Sequence, residues 1–361
     1  MPQALSTAAI KEGTMKKIKT VLSVTAVLLA ALLIFAFLNI LLSPKYMTEN
    51  IEGAMLSQYY REYGGHDVIF VGDCEVYANF SPLEMWRSHG ITAYVRGSSQ
   101  QLIWQSYGVL AETLKYETPK AIVYNVNAMR YDKSATVIKE EYNRLTLDKM
   151  RWSREKIDMI RASMTEDEDF WSYVFPILRY HDRFDKLTQE DFTYLFQTKD
   201  VTFNGFLLNQ RVVPMGKLPT RRPLTRDDFS DICYDYLDKM TALCAENGVE
   251  LILIKAPSQY PYWYDEQDAQ IAQYAADNGL AYYDFTKKVD EIGLDFLVDT
   301  YDAGLHLNYT GAVKMSNYFA QILAEHHGIT DHRSDAQIAA VYTEKLKIYD
   351  EAIQKGKEQL P

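Results

Sequence analysis

Three residue types needed for acyl transfer occur here in an order that invites assembly: a thiol, an imidazole and carboxylates, with small and amide residues between them. Cys74 follows Phe70-Val71-Gly72-Asp73, an apolar run that stops at a glycine. Gly97 lies in Arg96-Gly97-Ser98, Asn125 and Asn127 flank Val126, and Pro257-Ser258 closes a run of apolar residues. Far downstream, Asp299 and Asp302 precede His306 and Asn308. A cysteine can attack a carbonyl carbon, a histidine can take its proton and return it to a leaving alcohol, an aspartate can hold the imidazole, and N–H groups can receive the oxyanion. In that scheme Cys74 is the nucleophile, His306 the base and acid, and Asp302 the orienting carboxylate, with Asp299 as its rival. The N–H groups of Cys74 and Gly97 and the side chain of Asn125 or Asn127 form the oxyanion hole. Asp73 ties down the turn through backbone N–H groups. A helix opening at Cys74 would aim backbone dipoles at the sulfur and lower its pKa. Gln101 and Trp104, just after Gly97, suit sugar hydroxyls and sugar faces, and helix packing accounts for Trp104 equally well.

These residues fall where strands should end. Residues 66–71, 91–95, 121–126, 250–255 and 280–284 read as strands, most of them unbroken apolar runs of the kind buried on both faces of a parallel sheet. Between them lie helix patterns: 101–114, a helix capped by Thr225-x-x-Asp228 and stopped by Asn247-Gly248, 265–278 closed by Gly279, then 311–326 and 334–355. Ser81-Pro82-Leu83-Glu84 has the form of a capped helix start. Strands alternating with helices predict an α/β fold, a three-layer, flavodoxin-like parallel sheet over residues 61–330. In such sheets ligands bind beyond the C-terminal strand ends. Residues 131–224 break the rhythm with charged and aromatic residues and are expected as a helical insertion over that edge. Residues 331–361 add a C-terminal helix.

The 361 residues carry 38 Lys and Arg against 49 Asp and Glu, a net charge of −11, with a mean hydropathy of −0.26. That average conceals residues 21–42, which contain no charge and would extend roughly 33 Å as a helix, enough to span a bilayer. Lys11, Lys16, Lys17 and Lys19 against Glu12 give the first 20 residues +3, and the remainder carries −14. With only Lys45 close after the apolar run, the positive-inside rule places residues 1–20 in the cytoplasm and the body outside, held by an uncleaved single-pass anchor in the cell membrane. Met15-Lys16-Lys17 has the look of a translation start, and residues 43–60 that of a stalk. An acidic body is a poor partner for nucleic acid. Cys74, Cys233 and Cys244 are an odd number of thiols; the last two lie eleven residues apart in one expected helix, too far along it to bridge. No spacing of His or Cys suits a metal and no glycine-rich phosphate loop occurs, so no cofactor is expected. Among the 27 Tyr, the cluster Tyr260, Tyr262 and Tyr264 after Pro257-Ser258 is a candidate sugar-binding rim.

The motifs together resemble the SGNH, or GDSL-type, hydrolase family over residues 65–130 and 248–325. Gly72-Asp73-Cys74 resembles its Gly-Asp-Ser block, with cysteine where serine stands. Gly97 resembles the second-block glycine. Asn125-Val126-Asn127 resembles the third block without its usual Gly-x-Asn-Asp form. Asp302 to His306 resembles the Asp-x-x-His block with one extra residue. With the N-terminal anchor, the likeness extends to the membrane-anchored branch that works outside the cell beside membrane-bound O-acyltransferases, as in alginate acetylation and teichoic acid D-alanylation. The resemblance implies an acyl esterase or O-acyltransferase acting on a cell-envelope polysaccharide or polymer through a Cys-His-Asp triad. The alternative it leaves open is a catalytically degenerate glycan-binding or assembly factor beside such an acyltransferase.

Overall fold

Short runs of Val, Ile, Ala and Tyr become five parallel strands in the computed structural model, which describes residues 3–44, 55–62, 64–133, 139–148, 150–196, 200–224 and 228–359, with side chains from Glu12 onward. They are β1 (Val68–Gly72), β2 (Ala93–Gly97), β3 (Ala121–Asn125), β4 (Glu250–Lys255) and β5 (Ala281–Asp284). Their order, β2-β1-β3-β4-β5, is the flavodoxin-like one. Every residue of β1, β2 and β3 is buried, which accounts for the absence of polar alternation in these runs. Pairing Gly72 with Gly97, Val71 with Tyr124 and Asn125 with Ile254 brings the C-terminal ends of four strands to one edge. The order reverses between β1 and β3, so the crevice of such a sheet opens beyond these ends.

Helices cover both faces. Cys74–Asn79, Pro82–His89 and Tyr309–His326 pack together on one side, and Ile103–Thr113 and Asp231–Glu246 on the other. Phe70, Phe80, Phe285 and Phe319 interlock in the core, Phe70 and Phe80 stacked with ring centroids 5.0 Å apart. The C-terminal helix Ala336–Gln359 packs on Pro82–His89, where Tyr342 stacks on Trp86 at 4.1 Å. That contact changes the expected helix cap at Ser81. Its hydroxyl makes no capping bond and instead meets the Tyr349 hydroxyl at 3.1 Å. Thr225 of the other expected cap lies outside the described residues; the helix there starts at Asp231, after Ser230.

The chain forms two compact units, Met1–Lys45 with Asp169–Lys199 and Tyr46–Glu168 with Asp200–Pro361. The stretch read as one insertion, 131–224, is therefore divided. Glu140–Leu147 and Arg154–Ser163 belong to the sheet unit, where Gln105 Nε2 donates to Asn143 Oδ1 and Ser163 Oγ. Residues 207–224 carry no helix or strand among those described and run past the Cys74–Asn79 helix, the Leu207 N–H donating to the Tyr77 carbonyl. Residues 55–60, expected in the stalk, instead pack into the sheet unit: Met55 and Leu56 are buried, and Gln58 Nε2 donates to the Thr202 carbonyl at 2.8 Å. Of the stalk, 45–54 lie outside the described residues. In the other unit, Gln3–Leu42 is a single helix of 40 residues. Its portion Glu12–Leu42 is, among the described residues, the one helix long and apolar enough to cross a membrane.

Gly97 lets the end of β2 approach the turn after β1. A Cβ at this position would run into the Val76 Cγ2 methyl and lie 3.0 and 3.1 Å from the carbonyl oxygens of Gly72 and Asp73. Val76 is buried and β-branched, so it has little room to give way. Gly97→Ala should cost about 1–3 kcal/mol of stability through overpacking, measurable as a lowered denaturation midpoint with the m-value unchanged.

Candidate active site

The turn after β1 is built from three consecutive residues. Gly72 takes φ +148°, and a Cβ there would press on Asn125 Cβ at 3.1 Å. Asp73 caps the next helix, its carboxylate accepting the Glu75 N–H at 3.1 Å, the backbone role expected of it. Cys74 is then the first helical residue and is in no disulfide.

The imidazole arrives on a loop organised by Thr300. The Thr300 hydroxyl donates to the His306 carbonyl at 2.8 Å and accepts the Gly304 N–H at 2.9 Å, which closes the loop on itself. Ala303 and Gly304 take positive φ to make the reversal. Asp302 meets His306 twice: Oδ1 accepts the His306 backbone N–H at 2.7 Å, and Oδ2 lies 2.5 Å from Nδ1. Tyr301 stacks on the ring at 5.5 Å with an interplanar angle of 13°. Asp299 is engaged elsewhere, accepting from Thr310 Oγ1 at 2.9 Å and pairing with Lys314 Nζ at 2.6 Å, so of the two rivals Asp302 holds the imidazole. The loop is fastened to the Cys74 helix by the Leu307 N–H, which donates to Asn79 Oδ1 at 2.9 Å.

Cys74, His306 and Asp302 line one cavity of about 500 Å³, together with residues that include Tyr77, Gln100, Tyr142, Leu207, Arg211 and Tyr301. His306 Nε2 is buried and has no hydrogen-bond partner. Burial pushes the imidazole towards its neutral form, but the facing Cys74 and the Asp302 carboxylate outweigh it and carry the His306 pKa well above the ordinary value. On Cys74, burial is the largest influence and raises the thiol pKa against the pull of His306. This corrects the expectation of a thiol acidified by the helix start. The helix has only six residues, and the environment around the sulfur solvates a charge poorly.

Other expected site residues lie elsewhere. Asn125 Nδ2 donates to Asp73 Oδ1 at 3.0 Å and Glu75 Oε2 at 2.8 Å, so both amide hydrogens are engaged. Asn127 Nδ2 donates to Asp73 Oδ2 at 2.5 Å with one hydrogen, and its Oδ1 accepts from Arg130 Nη2 at 2.6 Å. Neither asparagine lines the cavity, nor does Gly97. Gln101 and Trp104, expected to meet sugar, are inside the protein. Gln101 Oε1 accepts from Ser106 Oγ, and Trp104 is 1 % exposed with its Nε1 on Ser163 Oγ at 3.0 Å. Tyr262 and Tyr264 direct their hydroxyls to the carbonyls of Pro219 and Arg222, which leaves Tyr260 the exposed member of the expected rim. Among the described residues no group of His, Cys, Asp and Glu could hold a metal ion.

Sequence reading missed what supports Cys74 from below. Glu75 and Lys255, both 0 % exposed, form an ion pair with Nζ 2.9 Å from each carboxylate oxygen. Ser258 Oγ donates to Glu75 Oε1 at 2.6 Å and accepts from Lys255 at 2.7 Å, while the Ala256 N–H donates to Asn125 Oδ1. Burial alone would raise the Glu75 pKa; Lys255, Ser258 and Asn125 overcome it and hold the carboxyl below its usual range. Burial, with the charge of Glu75 added, pushes Asp73 up. The available signal was a lysine ending the apolar run Glu250–Lys255, at a strand end where a buried cation needs an anion.

No protein-family profile matches the chain, and no curated protein matches it. Among solved structures, one described as an acylhydrolase from Bacteroides fragilis is 14% identical, covering 75% of this chain and 95% of its own, with a TM-score of 0.37. A GDSL-like lipase from Bacteroides thetaiotaomicron is 12% identical, covering 72% and 87%, with a TM-score of 0.31.

Lys255→Met would leave Glu75 buried without its cation and should cost about 3–5 kcal/mol; the double variant Lys255→Met, Glu75→Leu should recover much of that loss in denaturant unfolding. His306 also makes stability depend on pH. Its pKa is raised by folding, so the stabilisation is fully present below pH 6.5 and is lost as the pH rises through the raised value. Asp302→Asn should flatten that decline, read as the slope of Tm against pH.

Proposed function

We propose that this chain is a membrane-anchored acyl esterase or O-acyltransferase that works outside the cell on an envelope polysaccharide or polymer. The observation that carries the reading is the Asp302–His306 pair beside Cys74 in one cavity, with Nε2 left without a partner. Cys74 Sγ attacks the acyl carbonyl carbon while Nε2 takes the thiol proton. The tetrahedral intermediate collapses, the sugar alcohol leaves with the proton from Nε2, and a thioester remains on Cys74. Water or a second hydroxyl then attacks the thioester and gives its proton to Nε2; the C–S bond breaks, Cys74 leaves with that proton as the thiol, and an acid or a new ester is released. His306, oriented by Asp302 and facing Cys74 in the same cavity, is placed to take the thiol proton.

The Cys74 N–H, a donor that a helix start leaves without an intrahelical partner, would stabilise the oxyanion. The exposed side chains of Glu12–Leu42, including Leu28, Leu33 and Ile34, support anchoring, and Lys16, Lys17 and Lys19 support a cytoplasmic N-terminus. A membrane-bound O-acyltransferase is the partner such a protein would serve.

One observation favours a second reading, a non-catalytic glycan-binding or assembly factor: burial disfavours the Cys74 thiolate. Turnover separates the two. Cys74→Ala should lower acyl release from acylated envelope polymer by ~10³-fold or more, and His306→Ala by ~10²–10⁴-fold. Unchanged release in Cys74→Ala would leave only the binding role. Iodoacetamide should label Cys74 ahead of Cys233 and Cys244, which are buried.

A further inference from the structure

The segment Asp169–Lys199 groups with the N-terminal helix and not with the sheet. Its sequence, within which the short α-helices Phe170–Val174, Ile177–Tyr180 and Gln189–Thr193 form, is rich in large apolar side chains that stay in the open. Trp171, Phe175, Leu178, Phe184, Phe192 and Phe196 are all exposed, Phe184 by 72% and Phe196 by 91%. So many uncovered rings in one short stretch mark a surface built for an apolar partner.

Its contacts fix where on the helix this segment sits. The Ile177 N–H donates to Asn39 Oδ1 at 2.8 Å, and Arg183 Nη1 donates to the Leu42 carbonyl at 2.6 Å. The second bond satisfies one of the carbonyls that a helix leaves open at its C-terminus. Phe175 meets Phe35 edge to face at 5.5 Å and stacks on Trp171. Leu42 is the last residue of the uncharged run, and Phe35 lies roughly 10 Å further back along the axis. The segment therefore brackets the last turns of the apolar helix. There a spanning helix passes from hydrocarbon to headgroups, and interfacial segments reach to about that depth.

We infer that residues 169–196 are a second, interfacial membrane contact, with Trp171, Phe175 and their neighbouring rings seated in the outer boundary of the bilayer beside the spanning helix. The inference rests on the reading that Glu12–Leu42 spans the membrane. Charge agrees with this placement. Exposed Arg179 and Lys186 can reach lipid phosphates, and exposed Asp182, Asp185 and Glu190 can stay in water, as the polar side of an interfacial segment requires. Trp, with an apolar body and an N–H donor, is at home at this depth.

The test uses the full chain in phosphatidylcholine–phosphatidylglycerol vesicles whose acyl chains are brominated either near the headgroup or near the chain end. Trp171 should be quenched at least twofold more by the shallow bromines, and that component should vanish in Trp171→Phe. If the chain resists alkaline carbonate extraction yet wild type and Trp171→Phe quench alike, the segment does not touch lipid and the inference is overturned while the anchor stands. If carbonate extracts the chain, the spanning reading fails and this one with it. An unquenched Trp171 together with a disulfide-linked dimer through Phe196→Cys would assign the face to a second copy, again overturning the lipid contact.

Discussion

A lysine and a glutamate from which water is excluded meet directly beneath the candidate nucleophile, 180 residues apart in the chain. Each charge alone would be costly to bury by several kcal/mol, and the pair is tolerable only because its hydrogen-bonding capacity is filled. Lys255 spends its donors on Glu75, the Ala256 carbonyl and Ser258, and Glu75 receives Asn125 as well. Those partners sit at the ends of β1, β3 and β4. A shift of any one strand by a residue would leave a charge unpaired, so the ion pair fixes the common edge at which the site is built. Asp73, through Asn125, Asn127 and the Glu75 N–H, extends the same network to the residue before Cys74.

The second half of the site comes from a loop that barely touches that network. Thr300 closes the loop, Asp302 fixes the His306 ring, and Tyr301 stacks against it. Asn308 caps the following helix by accepting the Gly311 N–H, so the loop is held at both its centre and its end. The Leu307 N–H, donating to Asn79 Oδ1, ties this assembly to the Cys74 helix. A rigid turn and a self-supporting loop thus meet across a cavity, which brings the His306 ring to face Cys74. Such pre-organisation is what nucleophilic catalysis asks of a site.

The tyrosines show how one composition serves several ends. Tyr59, Tyr60 and Tyr94 gather near the buried Arg96, whose guanidinium lies 4.0 Å from the Tyr59 ring centroid. Tyr342 and Tyr349 fasten the C-terminal helix. Tyr77, Tyr142 and Tyr301 line the cavity itself. The abundance that suggested a sugar-binding surface is spent largely on packing, because an aromatic ring with a polar tip satisfies a half-buried position that Phe or Ser would leave unfilled or unbonded.

The sequence by itself determined the strands, since runs such as Val68–Gly72 and Glu250–Lys255 have no other way to bury their side chains. It also determined the apolar N-terminal helix and the positions of Cys74 and His306 at strand and loop ends, because local periodicity and turn chemistry are written in neighbouring positions. Choices between chemically equal residues were not legible there. Asp299 and Asp302 differ only by which one Lys314 and Thr310 capture, and Asn125 and Asn127 only by how many amide hydrogens the carboxylates beneath them take. Trp104, which could have met sugar or packed against a helix, packs against Arg154–Ser163, and Gln101 is buried too. The direction of the Cys74 pKa and the Glu75–Lys255 pair were likewise decided only in three dimensions. Burial and charge pairing depend on distances between residues far apart in the chain, and those distances exist only once the sheet has closed.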